Sequence, residues 1–214
     1  MAHLLAPSLL SADFAELRKA VELIEGSEAA WHHIDVMDGV FVPNISFGLP
    51  VIKSIRKHAR KPFDVHLMIV EPDRYIHAFR DAGADHLTVH LEACPHLHRS
   101  VQAIKAAGMK AGVAINPHSN VTLLEDVMAD IDLVCLMSVN PGFGGQKFIE
   151  RTYARISALK ELRTRTGSQA LIEIDGGVGL ENARKLAETG ADVLVAGNSV
   201  FGAQDPAAAI RSLA

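Results

Sequence analysis

Two periodicities alternate along the chain. Short apolar runs, in which successive side chains face opposite ways, are separated by stretches whose apolar positions recur at helical spacing. The runs predict strands at His3–Leu9, Trp31–Met37, Phe63–Ile69, His86–Leu91, Ala111–Ile115, Leu133–Val139, Ala170–Asp175 and Val193–Ala196. Helices are expected at Phe14–Glu25, around Pro50–Lys57, from Glu71-Pro72-Asp73 to Ala82, and at Leu97–Ala107. Further helices are expected near Leu123–Met128 and at Glu150–Thr164, Leu180–Glu188 and Pro206–Leu213. Ser11-Ala12-Asp13 offers a cap for the first of these, and Pro72 suits a first helical turn. Phe41–Phe47, with Pro43 and Asn44, reads as a loop, as does the glycine-rich Asn140–Gln146.

The pattern is strand then helix, eight times over. Gly83-Ala84-Asp85-His86-Leu87 recurs as Gly190-Ala191-Asp192-Val193-Leu194, half the chain later, at the entrance to the fourth and eighth strands. Eight such units with short connections and no linker predict a closed (β/α)8 barrel in one domain, residues 1–214. The length is near the lower end of the roughly 200 to 400 residues of that fold. A doubly wound open sheet competes, but no strand is followed by a G-x-G-x-x-G turn.

Some strand positions are expensive to bury. In Trp31-His32-His33-Ile34-Asp35-Val36-Met37, alternation puts His33, Asp35 and Met37 on one face and Ile34 and Val36 on the other. A strand covered on both sides has no cheap place for an imidazole and a carboxylate unless something pairs with them. A buried His–Asp hydrogen bond would suffice. However, Phe63–Met68 repeats the pattern with Asp64, His66 and Met68, and Leu171–Asp175 ends a third apolar run on a carboxylate. In a barrel all strand C-termini share one rim, so His33, Asp35, His66 and Asp175 would converge. Two imidazoles and two carboxylates suit Zn²⁺, Fe²⁺, Mn²⁺ or Co²⁺ and are too nitrogen-rich for a dedicated Ca²⁺ or Mg²⁺ cage. The remaining histidines, among them His3, His58, His77, His96 and His98, are read as helix or loop residues that solvent exposure explains.

Glycine clusters follow the sixth, seventh and eighth strands: Gly142-Phe143-Gly144-Gly145, Gly176-Gly177 and Gly197-Asn198. Glycine lets backbone N–H groups approach an anion, and the loops after strands seven and eight are the habitual phosphate site of such barrels. Met37, Met68 and Met137 fall at strand ends, where they could fill gaps in the core or wall a reacting centre with groups that carry no exchangeable proton.

Composition narrows the partners. Of the 214 residues 49% are hydrophobic and 21% charged, an ordinary globular balance, and the net charge is −4. With a pI near 6.2 there is no electrostatic reason to expect nucleic acid or an anionic membrane as a partner, so an anionic ligand must be held by local geometry. Cys94 and Cys135 are too few and too far apart for a disulfide scaffold or thiolate metal site, which points to reduced thiols in the cytosol. The opening Met1-Ala2-His3-Leu4-Leu5-Ala6-Pro7 lacks the features of a signal peptide, no apolar run is long enough to span a bilayer, and a cytoplasmic protein is expected.

His33–Gly39 (His-x-Asp-x-Met-Asp-Gly), Val65–Met68, Ser138–Gln146 and Asp175–Val178 together resemble the ribulose-phosphate 3-epimerase family, and Ala6–Phe14 matches as well, so the resemblance spans essentially the whole chain. It implies one divalent metal ion held by His33, Asp35, His66 and Asp175, with Asp35 and Asp175 also serving as acid and base. Substrate contacts are expected from Ser8, His66, Gly142, Phe143, Gly144, Gly145, Asp175, Gly176, Gly177, Gly197 and Asn198. Asn198 departs from the small residue, often serine, expected there. The implied partner is a phosphorylated ketose, D-ribulose 5-phosphate, inverted at C3 to D-xylulose 5-phosphate through an enediolate. A homo-oligomer, dimer or hexamer, is expected, though the sequence does not fix it. D-allulose 6-phosphate is the nearest alternative substrate. A phosphosugar decarboxylase or aldolase would show Asp-x-Lys-x-x-Asp, and Asp64–Ile69 lacks its lysine and second aspartate.

Overall fold

Every predicted apolar run folds as a strand in the computed structural model, which describes residues 3–214. The strands are β1 (Leu4–Pro7), β2 (His32–Met37), β3 (Phe63–Met68), β4 (His86–His90), β5 (Lys110–Ile115), β6 (Leu133–Met137), β7 (Leu171–Asp175) and β8 (Val193–Ala196). The α-helices are α1 (Leu17–Glu25), α2 (Leu49–Arg56), α3 (Ile76–Ala82), α4 (Leu97–Ala106), α5 (Thr152–Thr166), α6 (Ala183–Thr189), α7 (Asn198–Phe201) and α8 (Pro206–Leu213). All strand pairs are parallel, in the order β1-β8-β7-β6-β5-β4-β3-β2. The seam between β1 and β2 is held by a bridge between Ser8 and His33 and by the Ala30 N–H on the Leu5 carbonyl. The result is a nearly closed (β/α)8 barrel in one domain. Among the described residues no helix is long and apolar enough to cross a membrane.

Several ends differ from the sequence expectation for local reasons. β1 stops at Pro7 because the Ser8 side chain accepts the Leu10 N–H and caps a 3₁₀ turn, Leu9–Ser11. Asp13 caps as anticipated, but it opens a 3₁₀ turn at Phe14–Glu16 ahead of α1. The helix expected near Leu123 is 3₁₀ throughout, Val121–Val127, and α3 is likewise preceded by a 3₁₀ turn at Pro72–Tyr75. α7, directly after the Gly197 turn, has no counterpart among the expected helices.

The apolar core lies mainly outside the barrel, between sheet and helices. Outward-facing Ile34, Val36, Val65, Leu67, Leu87, Val89, Ile172 and Ile174 pack there with Val21 and Ile24 of α1, Ile52 and Ile55 of α2, Ile104 of α4 and Leu159 of α5. The inward faces of β2, β3, β4 and β7 are polar, and His33, Asp35, Asp64, His66, Thr88, His90 and Glu173 are all buried. A barrel interior of this kind is stable only when its polar groups satisfy one another.

The repeated Gly-Ala-Asp turn has one job in both places. Gly83 and Gly190 take left-handed backbone angles, φ 104° and 127°, to end α3 and α6. Asp85 Oδ2 then accepts from the Phe63 N–H at 2.8 Å and Arg56 at 3.1 Å, while Asp192 Oδ2 accepts from the Ile172 N–H at 2.8 Å and Arg163 at 2.6 Å. Each aspartate ties the incoming strand to its predecessor. Asp192→Ala should therefore lower stability by about 1–3 kcal/mol, the cost of stranding a buried N–H and an arginine. Urea denaturation measures this, and a change below about 0.5 kcal/mol, the range of an ordinary surface substitution, would refute the tie.

Candidate active site

Parallel register brings the unusual strand residues together at the C-terminal mouth. Asp35 of β2 lies beside His66 of β3, Met37 beside Met68, and Met137 of β6 beside Asp175 of β7. One ligand atom from each of His33, Asp35, His66 and Asp175 falls within 4.8 Å of the other three. His33 Nε2 is 3.2 Å from Asp35 Oδ1 and 4.0 Å from Asp175 Oδ2. His66 Nδ1 is 3.0 Å from Asp35 Oδ1 and 3.5 Å from Asp175 Oδ2. Two imidazole nitrogens and two carboxylate oxygens thus point at one place, a donor set that could hold a divalent transition-metal ion. Strands β2 and β7 are separated by β1 and β8, so the two aspartates approach that place from different sides.

Above this cluster opens a cavity of about 570 Å³. Ser8, Asp35, Met37, Met68, Met137 and Asp175 line it, and Gly142, Phe143, Gly144, Gly145, Gly176, Gly177, Gly197 and Asn198 are among its other walls. His33 and His66, which have no exposed surface, lie behind the wall that the carboxylates present. Ser8 donates to Asp35 Oδ2 at 2.5 Å, which fixes the carboxylate plane and leaves Oδ1 to the imidazoles. The methionines are 2–4% exposed and also border the cavity, so packing and walling are one role here.

The glycine turns are braced by neighbours. Ser138 donates to the carbonyls of Asp175 and Gly176, pinning the end of β7. Gln146 donates to the carbonyls of Asn140 and Phe143, and Asn44 donates to that of Gly142. Gly177 has φ 63°, and a Cβ there would lie 2.8 Å from the Phe148 nitrogen. Its constraint comes from the chain opposite it, whereas the sequence suggested close approach by an anion.

Behind the cluster lies a second tier of polar groups, of which the sequence places only Asp64 on the inner face. Asp64 Oδ2 accepts from His33 Nδ1 at 2.6 Å, and Glu173 stands beside Asp64 with no exposed surface. Burial, reinforced by the Asp64 charge, pushes the Glu173 pKa well above the usual carboxylate range. His32 and His90 correct the expectation that the remaining histidines are solvent-exposed, for both lie on strands and neither is exposed. His32 faces outward to Glu25 at 2.8 Å, and His90 faces inward to His66 at 2.9 Å. Burial lowers the His90 pKa to about 4. Alternation could have found one of these groups, since Glu173 shares a face with Asp175.

Pairing with the carboxylates sets how the two imidazoles of the cluster titrate. Burial opposes charge on His66, but hydrogen bonds and attraction from Asp175 and Asp35 outweigh it and raise its pKa to about 9. His33 is raised well above its ordinary value by Asp35 and Asp64 in the same way, again against burial. Burial likewise opposes charge on Asp35, but the two imidazoles outweigh it and its pKa falls well below the carboxylate range. A raised histidine stabilises the fold fully below its unfolded value, about 6.5, and that stabilisation disappears as pH climbs through the folded value. Metal-free protein should thus lose on the order of 2 kcal/mol between about pH 6.5 and pH 9.5, and His66→Gln should flatten the slope. Denaturation in a chelating buffer at both pH values reads this directly, and stability that is flat or rising would contradict it.

The model of the ribulose-phosphate 3 epimerase family matches residues 4–201. A ribulose-phosphate 3-epimerase of Bacillus subtilis (strain 168) is 53% identical over 209 residues, covering 97% of this chain and 96% of that protein. The chloroplastic ribulose-5-phosphate-3-epimerase of Arabidopsis thaliana is 49% identical over 212 residues, 98% of this chain and 75% of its own. Among solved structures, a 3-hexulose-6-phosphate synthase superposes with a TM-score of 0.69 at 24% identity, covering 100% of this chain and 98% of that one. A mutant tryptophan synthase α-subunit from the hyperthermophile Pyrococcus furiosus reaches a TM-score of 0.73 at 14% identity, covering 98% and 96%. At such identities these two share the barrel, and only the barrel.

Proposed function

The chain belongs to the ribulose-phosphate 3-epimerase family, and we propose that it inverts C3 of D-ribulose 5-phosphate to give D-xylulose 5-phosphate, using a divalent metal ion. The observation that carries this reading is the convergence of four ligand atoms within 4.8 Å at the foot of a cavity ringed by glycine turns. His33 through Nε2, His66 through Nδ1 and one oxygen each of Asp35 and Asp175 would hold the ion. When bound, a divalent cation supplies Lewis-acid stabilisation of negative charge developing on the substrate's C2 and C3 oxygens.

The chain's own residues do the rest. The C3 proton is acidic because it lies next to a carbonyl, and its removal leaves a planar enediolate. Asp35 takes that proton from one face and Asp175 returns one to the other, or the reverse. One carboxyl must begin ionised and the other protonated. Ser8 holds Asp35 in a fixed plane through Oδ2, the oxygen not turned to the imidazoles. Met37, Met68 and Met137 border the reacting carbon with groups that have no proton to give, which limits protonation at the wrong place. The turns at Gly142–Gly145, Gly176–Gly177 and Gly197–Asn198 bind the phosphate, and that remote contact orients the sugar.

His66→Ala tests the proposal. It should remove bound metal and most of the epimerase activity while the barrel still unfolds cooperatively. Full activity of the wild-type protein in a demonstrably metal-free preparation would contradict it. Gly177→Val should displace the Phe148 segment and raise KM for D-ribulose 5-phosphate about tenfold or more, a loss of about 1.4 kcal/mol or more in binding. Equal turnover of D-ribulose and its 5-phosphate by the wild-type protein would remove the phosphate site from the account.

A further inference from the structure

His66 turns one ring nitrogen toward the carboxylates and the other away from them. Nδ1 faces Asp35 and Asp175, whereas Nε2 lies 2.9 Å from Nε2 of His90. His90 ends β4 with no exposed surface, its ring near parallel to that of His66 at 5.0 Å between centroids and tilted against that of Phe41 at 4.6 Å. On its far side His90 Nδ1 lies 3.3 Å from Glu92 Oε2. Glu92 is fixed in turn, because its Oε1 accepts from the Asn116 N–H at 2.9 Å and from the Ser119 hydroxyl. The acid and base proposed above leave this line of groups unused.

The direction of the line follows from what each group can do. A carboxylate only accepts, so the proton between Glu92 and His90 is carried on His90 Nδ1. A neutral ring protonated there offers a lone pair at Nε2. Two ring nitrogens 2.9 Å apart need one donor and one acceptor, so His66 donates from Nε2. On Nδ1, which faces the other three members of the cluster, the proton shared with Asp35 and Asp175 is the one a bound cation would displace, and the lone pair freed there is the ligand.

We propose that Glu92 and His90 form a positioning relay that locks His66 in the Nε2–H tautomer and so presents Nδ1 as a ligand atom. The proposal rests on the reading of His66 as a metal ligand and adds to it the residues that aim that ligand. Hydrogen-bond partners behind a ligating histidine set its tautomer, orientation and basicity, and their loss costs about 10- to 100-fold in metal affinity. His33 is backed by a single carboxylate, Asp64, whereas His66 reaches its carboxylate through a second imidazole.

The test is Zn²⁺ affinity, measured by competition with a chelator on the wild-type protein and on His90→Phe, His90→Gln, Glu92→Gln and His66→Ala. His90→Phe keeps a ring between Phe41 and His66 but removes the acceptor, and should weaken Zn²⁺ binding by about 10- to 100-fold. His90→Gln restores an amide oxygen where Nε2 stood and should recover most of that loss. Glu92→Gln, at a partly exposed position, should weaken binding in the same direction by less, and it carries the test should His90→Phe fail to fold. In zinc-loaded wild-type protein, ¹⁵N NMR should find the His66 proton on Nε2 and the metal on Nδ1. Unchanged affinity in a folded His90→Phe or in Glu92→Gln overturns the relay, as does an equal loss in His90→Phe and His90→Gln. Wild-type protein that binds no Zn²⁺, or undiminished affinity in His66→Ala, brings down the ligand reading and the relay with it. Loss of Zn²⁺ by His66→Ala alone, with His90→Phe unaffected, removes only the relay.

Discussion

Charge pairing inside the barrel mouth is the constraint on which the rest depends. Two imidazoles and three carboxylates, from His33, His66, Asp35, Asp64 and Asp175, are buried or nearly so on three strands. An unpaired charge at such depth would cost several kcal/mol, enough to consume much of the stability of a domain this size. The cost is avoided because each imidazole nitrogen has a partner. His33 lies between Asp64 and Asp35, and His66 between His90 and the two aspartates of the mouth. Apolar packing is consequently displaced to the outer layer, where the strand faces that carry Ile34, Val65, Leu87 and Ile172 meet the helices.

The same arrangement explains why a few side chains decide the chemistry of a common scaffold. Solved structures with TM-scores near 0.7 share the barrel at 14–24% identity, so the barrel alone carries no function. What sets this chain apart is the pattern at its strand ends: alternate positions on β2 and β3, and the end of β7, supply nitrogen and oxygen donors where an ordinary barrel interior would be filled by branched aliphatic side chains. Loops then close over that floor. The β6 loop is tied to the β2 loop through Asn44 and Gly142, so the rim behaves as connected structure.

Much of this is legible in the residues, and the failures have physical causes. Alternation along His32–Met37 and Phe63–Met68 assigns inner and outer faces correctly, because a side-chain period of two leaves no other choice once one face is aliphatic. The echo at Asp85 and Asp192 marks real structural equivalence, although its purpose, a carboxylate bonded to the preceding strand, depends on a neighbour that sequence spacing does not reveal. Element ends are misplaced where a side chain closes a 3₁₀ turn first, the end of β1 at Ser8 and the start of α1 at Asp13. His90 escapes a sequence reading because its meaning comes entirely from partners: His66, 24 positions earlier, and Glu92, itself held by a loop from the next unit. A histidine without a visible partner reads as a surface residue.

Two carboxyl groups acting from opposite faces of a flat intermediate form the central claim, and solvent isotope exchange tests it most directly. D-ribulose 5-phosphate would be converted in deuterated water and the product examined by NMR at C3, for the wild-type protein and for Asp35→Asn, Asp175→Asn and the double variant. The account predicts deuterium at C3 of the wild-type product and loss of inversion by at least ~10²–10⁴-fold in each single variant, with metal content measured alongside. A single variant that retains its metal should still exchange the substrate's C3 proton from one face. Inversion by the wild-type protein with no solvent deuterium incorporated, or efficient inversion by the double variant, would contradict the two-aspartate account.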